Sequence, residues 1–246
     1  MTDLADTSEK KKKIVMVVDG NAKDALTTSL ILQNFGYSVT TVKSAEEALE
    51  FLSIAVPSLI IVEFILPGMN GIALLDRMRQ EPLFSKVPVI VQSAHPDPST
   101  GERCMSAGCV LYLRKPVSGE DLYRAVQSVL ERTPRRNVRV NTFLKASVDG
   151  AGTGAEFVTM LSEPGLFIKT LHPRPVGTKH SVTFILGKKI VKTEAQVIYA
   201  YGFGEGPGKD PGMGMKFLTL SPEDQSLIKA YIEESFTAGT PPREPR

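Results

Sequence analysis

The chain has 246 residues, of which 42% are apolar and 23% charged, and its formal net charge is +2 at pH 7. This composition is ordinary for a soluble globular protein. No apolar run approaches the ~18 residues that a membrane-spanning helix needs. No signal peptide opens the chain, because the short apolar run after the basic residues ends at an aspartate. We therefore expect a cytoplasmic protein without membrane insertion.

Metal sites and nucleic-acid binding are also disfavoured. The two cysteines, Cys104 and Cys109, and the three histidines lack the spacing of a metal motif. We therefore predict no metal ligands among them and expect the cysteines to be small buried hydrophobes. The net charge is too small to indicate nucleic-acid binding by itself, and no recognition helix or aromatic-studded groove is evident.

Apolar, strand-like runs alternate with helical patterns in the first half of the chain. The predicted strands are Ile14 to Gly20, Tyr37 to Val42, Leu59 to Glu63, Val87 to Ser93 and Val110 to Pro116. The first predicted helix carries Leu26, Leu30 and Phe35, and the second carries Leu49 and Leu52 behind a capping box of Ser44 and Glu47. The third spans residues 71–80 and the fourth spans residues 99–107. The fifth carries Leu122, Val126 and Leu130 behind Ser118. This alternation predicts an α/β doubly wound, five-stranded parallel sheet.

Ligand chemistry in such a sheet lies at the carboxyl ends of the strands. In this chain those ends carry Asp19, Glu63, Ser93 and Lys115. The sequence therefore predicts a site at this edge of the sheet.

A dense cationic segment joins the two halves of the chain. Arg132, Arg135, Arg136 and Arg139 lie around Pro134. A guanidinium group is always charged and donates in a plane, which suits phosphate oxygens and the acceptor edge of guanine. We therefore predict that the arginine-rich linker, residues 132–138, senses an anionic ligand.

The second half shows short alternating strands and glycine-rich turns, which favour an antiparallel sheet or barrel. Period-two alternation predicts that Val191, Thr193, Ala195, Val197 and Tyr199 lie on one face. The run from Ser221 to Asp224, with proline at the first helical position, predicts the start of a closing helix. Leu227, Ile228, Tyr231 and Ile232 of this helix are expected to face the barrel.

Residues 13–131 resemble a response-regulator receiver domain, a flavodoxin-like fold, in the segments VVDG, LPGMNG, VQSA and RKP. In that family a strand-three aspartate accepts a phosphoryl group and two acids after strand one hold magnesium. A hydroxyl and a lysine contact the phosphoryl group, and a strand-five aromatic reports the switch. The resemblance implies Glu63 at the acceptor position, Asp19 and Gly20 at the acid pair, Ser93 as the hydroxyl, Lys115 as the lysine and Tyr112 as the aromatic.

Two of these positions depart from the family pattern. Glu63 is one methylene longer than aspartate, and in-line phosphoryl transfer depends on placement. Gly20 removes one carboxylate that would hold Mg²⁺. We therefore expect little phosphorylation and at most weak magnesium binding at Asp19. Glu63 either stands in for a phosphorylated aspartate and meets Lys115 directly, or forms a rim ion pair without a signalling role. Tyr112 is either the reporter or a packing residue.

Residues 135–236 resemble a PilZ domain, which implies a six-stranded antiparallel β-barrel with an arginine arm before it and a helix after it. That family binds the bacterial second messenger cyclic di-GMP. Its RxxxR signature is present from Arg135 to Arg139, with Arg136 inside it. Its [D/N]xSxxG signature retains Ser162 and Gly165 but has Met160 where the acid or amide belongs. The GMGMKF segment from Gly212 is also typical of these barrels.

The loss at Met160 is expected to weaken binding without abolishing it. Losing one hydrogen bond costs about 0.5–1.5 kcal/mol, or roughly tenfold in affinity. The charged forks of Arg135 and Arg139 are expected to supply most of the attraction. Residues 160 and 162 are two apart on a strand and therefore share a face, and Gly165 permits a tight turn and close backbone approach.

The sequence thus predicts a disordered basic tail (1–12), a receiver-like domain (13–131), the arginine-rich linker (132–138), a PilZ-like barrel with its helix (135–236) and a disordered tail (237–246). The function that these resemblances imply is a bacterial signalling adaptor, not an enzyme, with a cyclic dinucleotide as ligand. The receiver-like surface would dock protein partners. A scaffold with both sites inactive, a true phosphorelay regulator and a homodimer stay open as alternatives.

Overall fold

The structure is a computed structural model that describes residues 13–131, 136–150, 156–205 and 210–237. The predicted tail at 1–12, the tail beyond residue 237, and Arg135 in the linker lie outside the described residues. The chain divides into two compact units, one formed by Lys12–Arg135 and the other containing Arg136–Arg246. Each unit is described by itself.

The first unit is a five-stranded parallel sheet flanked by helices, which confirms the predicted doubly wound α/β fold. Its strands are β1 (Ile14–Val18), β2 (Ser38–Val42), β3 (Leu59–Glu63), β4 (Val89–Ser93) and β5 (Leu111–Arg114), in the order β2-β1-β3-β4-β5. Its helices are α1 (Ala22–Asn34), α2 (Ala45–Ile54), α3 (Gly71–Gln80), α4 (Thr100–Ser106) and α5 (Gly119–Leu130).

The three central strands are apolar along their length because helices cover both faces of the sheet. Residues 15–18 of β1, 59–62 of β3 and 89–91 of β4 are at most 2% exposed. The edge strands β2 and β5 are only half-buried. The carboxyl ends of the central strands are therefore fixed by the best-packed part of this unit.

The buried face of α1 differs from the stripe that the sequence suggested. Leu26 is 57% exposed. The buried face consists of Ala25, Thr28, Ser29, Ile31 and Leu32 together with Asn34. Small polar residues fill positions against the sheet, so the apolar spacing predicted the helix but not which side it buries.

The second unit is a closed six-stranded antiparallel barrel followed by a helix, as expected. Its strands are β6 (Val140–Val148), β7 (Glu156–Ser162), β8 (Gly165–Lys169), β9 (Lys179–Leu186), β10 (Lys189–Tyr201) and β11 (Gly212–Thr219), and the closing helix is α6 (Pro222–Glu234). The strands close in the order β10-β11-β8-β7-β6-β9. Ser221 caps α6, as predicted, and Ile228 and Ile232 are its buried residues.

A bulge in β10 overturns one prediction about its faces. Val191, Thr193, Ala195 and Val197 are buried, as expected. Val197 pairs with Met215, however, whereas Tyr199 pairs with Gly214, so one extra residue interrupts the alternation. Met213 and Met215 are buried inside the barrel, so Gly214 faces outward. Tyr199 shares that outer face, and its predicted place beside Val197 is wrong.

The turn between β7 and β8 brings the backbone of β11 close to Gly165. A Cβ atom added at this glycine would lie 2.2 Å from the carbonyl oxygen of Met215. The oxygen belongs to a paired strand and cannot rotate away. Only glycine fits this position without a shift of the sheet.

We predict that Gly165→Ala lowers the free energy of unfolding of the barrel by about 1–3 kcal/mol, because the added methyl group overpacks against β11. Urea unfolding of the full chain, followed by a probe in the barrel, measures the change. The matched control is Glu163→Ala, an exposed position in the same turn, which should change stability by less than about 0.5 kcal/mol. Equal stability of the two variants would contradict the steric argument.

Candidate functional site

The carboxyl edge of the parallel sheet gathers the side chains that the sequence placed there. Asp19 follows β1, Glu63 ends β3 and Lys115 follows β5. Together with Gly20, Asp24 and His95 they line an open cleft of about 610 Å³. The structure therefore brings the predicted carboxylates and the predicted lysine into one pocket.

The centre of this pocket is the ammonium group of Lys115. Its Nζ lies 2.7 Å from Glu63 Oε2, 2.9 Å from Asp19 Oδ2 and 3.0 Å from Asp24 Oδ2. The Lys115 side chain is 17% exposed, and those of Asp19 and Glu63 are 6% and 11% exposed. Glu63 thus contacts Lys115 directly, which both alternatives for Glu63 allow, and Asp19 and Asp24 share the same ammonium group.

Asp24 was missed by the sequence reasoning. It lies in the first turn of α1, whose N-cap Asn21 accepts hydrogen bonds from the backbone N–H groups of Lys23 and Asp24. An N-cap three residues after the end of a strand, followed by an acid in the first turn, was the available signal. It would have placed Asp24 at the same edge as Asp19.

The second carboxylate oxygens of Asp19 and Glu63 accept backbone hydrogen bonds. Asp19 Oδ1 accepts from Asn21 N–H at 2.8 Å, and Glu63 Oε1 accepts from Ile65 N–H at 3.2 Å. All four carboxylate oxygens of Asp19 and Glu63 are therefore engaged, two by the lysine and two by the backbone.

These contacts raise the pKa of Lys115. Burial alone lowers it, but hydrogen bonds to Glu63, Asp19 and Asp24, with the charge of Glu63, more than offset that effect. The ammonium form is therefore strongly favoured in the folded protein.

The donor set does not fit a magnesium ion in this arrangement. Mg²⁺ requires free oxygen ligands in octahedral geometry, whereas the inward oxygens of Asp19 and Glu63 accept from Lys115. Gly20 supplies no carboxylate, and a Cβ atom there would lie 2.9 Å from Cδ of Pro67. The turn after β3 thus packs against the position where a second acid would stand.

The other predicted receiver residues lie deeper or to one side. Ser93 is fully buried, and its hydroxyl accepts from the backbone N–H of His95 at 3.0 Å. Tyr112 is half-buried, with its ring 3.1 Å from the position of a Cβ at Gly101 of α4. Burial raises the pKa of the Tyr112 hydroxyl despite its hydrogen bond with Ser93. Tyr112 therefore links the end of β4 to α4.

The cysteines confirm their predicted character. Cys104 and Cys109 are free thiols and both are buried. Burial raises the pKa of Cys109 to about 11. Within the part of the chain that the structure describes, no group of three or more histidine, cysteine or carboxylate side chains is arranged to hold a metal ion.

The start of the barrel brings together the described parts of both barrel signatures. Val140 of β6 pairs with Leu161 of the antiparallel strand β7. Arg139, just before Val140, and Ser162, just after Leu161, are therefore neighbours across the two strands. Arg139 is half-buried and Arg136 is exposed. Ser162 is buried, and its Oγ donates to the carbonyl oxygen of Gly165 at 2.8 Å. The hydroxyl oxygen still has acceptor capacity.

Met160 faces outward on β7 and lies opposite Asn141 of β6. Both residues are half-buried. Directly opposed residues on antiparallel strands have Cβ atoms about 5 Å apart. An amide group therefore lies next to the position at which the signature lacks one. No sequence pattern indicated Asn141, because its neighbour depends on the register between β6 and β7.

Family models match both halves of the chain. The model for the response regulator receiver domain matches residues 15–127, and the model for the PilZ domain matches residues 133–234. Among curated proteins, the chain is 33% identical over 117 residues to the two-component response regulator ORR3 of Oryza sativa subsp. indica, covering 47% of this chain and 89% of that protein.

The chain belongs to the response regulator receiver family.

Its second half is a PilZ domain, so the protein joins a receiver domain to a PilZ barrel. It is also 36% identical over 113 residues to the two-component response regulator ORR6 of Oryza sativa subsp. japonica, covering 45% of this chain and 66% of that protein. Among solved structures, the chemotaxis response regulator CheY4 of Vibrio cholerae is 26% identical, with 48% of this chain and 98% of that chain covered and a TM-score of 0.45.

The stretch that these relatives and this solved structure match is about as long as the receiver domain. Receiver and PilZ domains are signalling and binding modules, and the protein is accordingly a signal-transduction protein. Across residues 13–131, 136–150, 156–205 and 210–237, no helix combines the length and apolar character needed to span a bilayer.

We predict that Lys115→Met lowers the free energy of unfolding of the receiver domain by about 3 kcal/mol, because it leaves buried carboxylates without their counter-charge. Since the folded pKa of Lys115 lies above its ordinary value of about 10.4, the difference from the parent protein should be constant from pH 6 to 9. It should shrink only as the pH rises above about 10.5. Urea unfolding of the receiver domain across this pH range measures both effects.

The control for this prediction is Lys86→Met, which removes an exposed lysine after α3 and should cost less than about 0.5 kcal/mol. A Lys115→Met variant as stable as the parent protein at pH 7 would show that the three carboxylates do not depend on the ammonium group.

Proposed function

We propose that this protein is a non-enzymatic bacterial signalling adaptor whose PilZ domain binds cyclic di-GMP and whose receiver domain is not switched by phosphorylation. The receiver domain presents a docking surface for a protein partner. Ligand binding is the input, and contact with that partner is the output.

The observation that carries the ligand assignment is the pairing of Val140 with Leu161. This pair sets the second arginine of RxxxR, Arg139, beside the strand end that carries Ser162. Gly165 closes the same turn, with β11 packed against it. This neighbourhood of Arg139 and Ser162, which come from two signatures separated in sequence, supports one ligand that contacts both residues.

The chemistry at this place suits a cyclic dinucleotide. Arginine forks donate two parallel hydrogen bonds to a phosphate or to the O6 and N7 atoms of guanine. Arg135 and Arg136 add charge on the same arm. A hydrogen bond to a charged group contributes about 1.5–3 kcal/mol, so the arginines outweigh the single neutral hydrogen bond that Met160 lacks.

We predict that isothermal titration of the full chain with cyclic di-GMP shows saturable binding. Arg139→Ala and Arg135→Ala should each weaken binding by about 10- to 100-fold, because each removes a charged fork. The matched control is Arg77→Ala, which removes an exposed arginine on α3 and should bind like the parent protein. Absence of binding heat at millimolar ligand would refute the cyclic di-GMP assignment.

The proposal for the receiver domain rests on the Lys115 cluster. Glu63 Oε2 contacts Lys115 at 2.7 Å and its Oε1 accepts from the Ile65 N–H group, so both carboxylate oxygens already have a partner. In-line transfer tolerates little misplacement, since about 1 Å can cost on the order of a hundredfold. In this pocket Lys115 forms ion pairs with Glu63, Asp19 and Asp24.

We predict that incubation with a small-molecule phosphodonor and Mg²⁺ adds no phosphoryl group to the parent protein, as measured by intact mass. The comparisons are Glu63→Asp alone, which shortens the acceptor, and Gly20→Asp with Glu63→Asp, which also supplies the second acid and requires Pro67 to shift; a thermal unfolding curve of each variant checks that it is folded. This double variant should gain one phosphoryl group if position 20 and the length of residue 63 are what prevents transfer. A phosphorylated parent protein would instead support the phosphorelay alternative.

A further inference from the structure

The turn after helix α4 brings the two cysteines of the chain together through the backbone. The N–H group of Cys109 donates to the carbonyl oxygen of Cys104 at 3.1 Å, and the N–H group of Gly108 donates to that of Met105 at 3.0 Å. Gly108 itself is left-handed, with φ +95°. This combination is a Schellman motif, in which the first and last side chains commonly contact each other. In this chain both of those positions are cysteines.

The backbone hydrogen bond also limits how far apart the two cysteines can be. With an N···O distance of 3.1 Å and the lengths of the covalent bonds on either side, their Cα atoms are at most about 7 Å apart. Disulfide bonds usually join residues whose Cα atoms are about 4.4–6.8 Å apart. Arg79 of α3 donates to the carbonyl oxygen of Gly108 at 2.9 Å, so a neighbouring helix holds the turn in this geometry.

The two thiols lie in the same buried environment. Cys104 and Cys109 belong to one apolar cluster of the receiver domain, and they are 0% and 5% exposed. The Sγ atom of Cys109 lies 3.5 Å from Sδ of Met105. Burial, and then the neighbouring thiol of Cys104, raise the pKa of Cys109 to about 11. The reduced pair is therefore uncharged at neutral pH, and its two thiols are close enough to interact.

We propose that Cys104 and Cys109 are a redox-modification site, a dithiol that a hydroperoxide converts into a disulfide across the end of α4. In reducing compartments disulfides are rare, and those that form are usually transient, catalytic or redox-sensing. The site gives the receiver domain an input that needs neither a phosphoryl group nor a metal ion. It goes beyond the proposed function and does not depend on cyclic di-GMP.

The reaction has two steps that balance. The thiolate of Cys109, the more exposed of the two residues, attacks the O–O bond of the peroxide and becomes a sulfenic acid, while the second oxygen leaves as water or an alcohol. The thiol of Cys104 then attacks the sulfenic sulfur, and the hydroxyl group leaves with the thiol proton as water. The two thiols lose two electrons and two protons, and the peroxide gains both.

The disulfide ties the last turn of α4 to the residue that precedes Val110 and β5. Met105 and Val110, the sequence neighbours of the two cysteines, are 49% and 40% exposed. Tyr112 of β5 packs against the cluster that contains both thiols. Oxidation therefore acts directly beneath exposed apolar residues at the junction of α4 and β5.

The test is oxidation of the folded full-length protein with hydrogen peroxide, followed by intact mass and peptide mapping. The parent protein should lose about 2 Da, the mass of two hydrogen atoms, yield a linked Cys104–Cys109 peptide, and regain its mass with dithiothreitol. Cys104→Ala and Cys109→Ala should each abolish the linked peptide. The matched control is Met105→Leu, which removes the exposed thioether, keeps both thiols and should still form the disulfide.

Two further measurements connect the reaction to this environment. The rate should rise about tenfold for each pH unit from pH 7 to 9, because the thiolate is the attacking form and the pKa of Cys109 is about 11. The oxidised receiver domain should also unfold at a higher temperature than the reduced one, because the disulfide closes a loop in the unfolded chain. Reduction with dithiothreitol should reverse the shift.

The linked peptide from the parent protein decides the case even where a cysteine variant is unstable. The proposal is overturned if the folded parent protein forms no linked peptide while the chain unfolded in urea does. It is also overturned if Cys109 is oxidised to sulfinic acid while Cys104 stays a free thiol, since the two sulfur atoms then do not meet in the folded domain.

Discussion

The receiver domain depends on one cation held among three acids. Lys115 contacts Asp19, Asp24 and Glu63 within 3.0 Å, so acids from the β1–α1 region and from β3 share one counter-charge. Removing either partner of such a buried network leaves a charge without compensation, which costs far more than the network contributes. In this arrangement one oxygen of each of the three carboxylates is engaged by Lys115.

Each of the two domains lacks the expected polar side chain at one signature position. At the sheet edge Gly20 lacks a carboxylate, and Asp24 of α1 contacts Lys115 in the same pocket. On the barrel Met160 lacks a polar group, and Asn141 of β6 lies opposite it. In each case a neighbouring element brings a polar side chain to the place that the signature residue leaves apolar. A degenerate motif in one strand is therefore not sufficient grounds to conclude that the site has lost its function.

The bulge in β10 places an aromatic side chain on the outer face of the barrel. One extra residue turns Tyr199 from the interior to the outer face, where its ring lies over Gly214. Bulges reorient side chains in this way and are common beside binding sites. Gly212 and Gly214 of the GMGMKF segment lie within β11, and the absence of side chains there leaves room for the rings of Phe167 and Tyr199.

The sequence by itself determined the two folds, the caps at Ser44, Ser118 and Ser221, and the meeting of Asp19, Glu63 and Lys115 at one sheet edge, because periodicity, capping chemistry and strand ends are local properties. Only the tertiary structure decided the contact of Asp24 with Lys115, the pairing of Asn141 with Met160 and the outward turn of Tyr199. These depend on helix orientation, strand register and a bulge. Such features are set by contacts between residues distant in sequence, which no local pattern encodes.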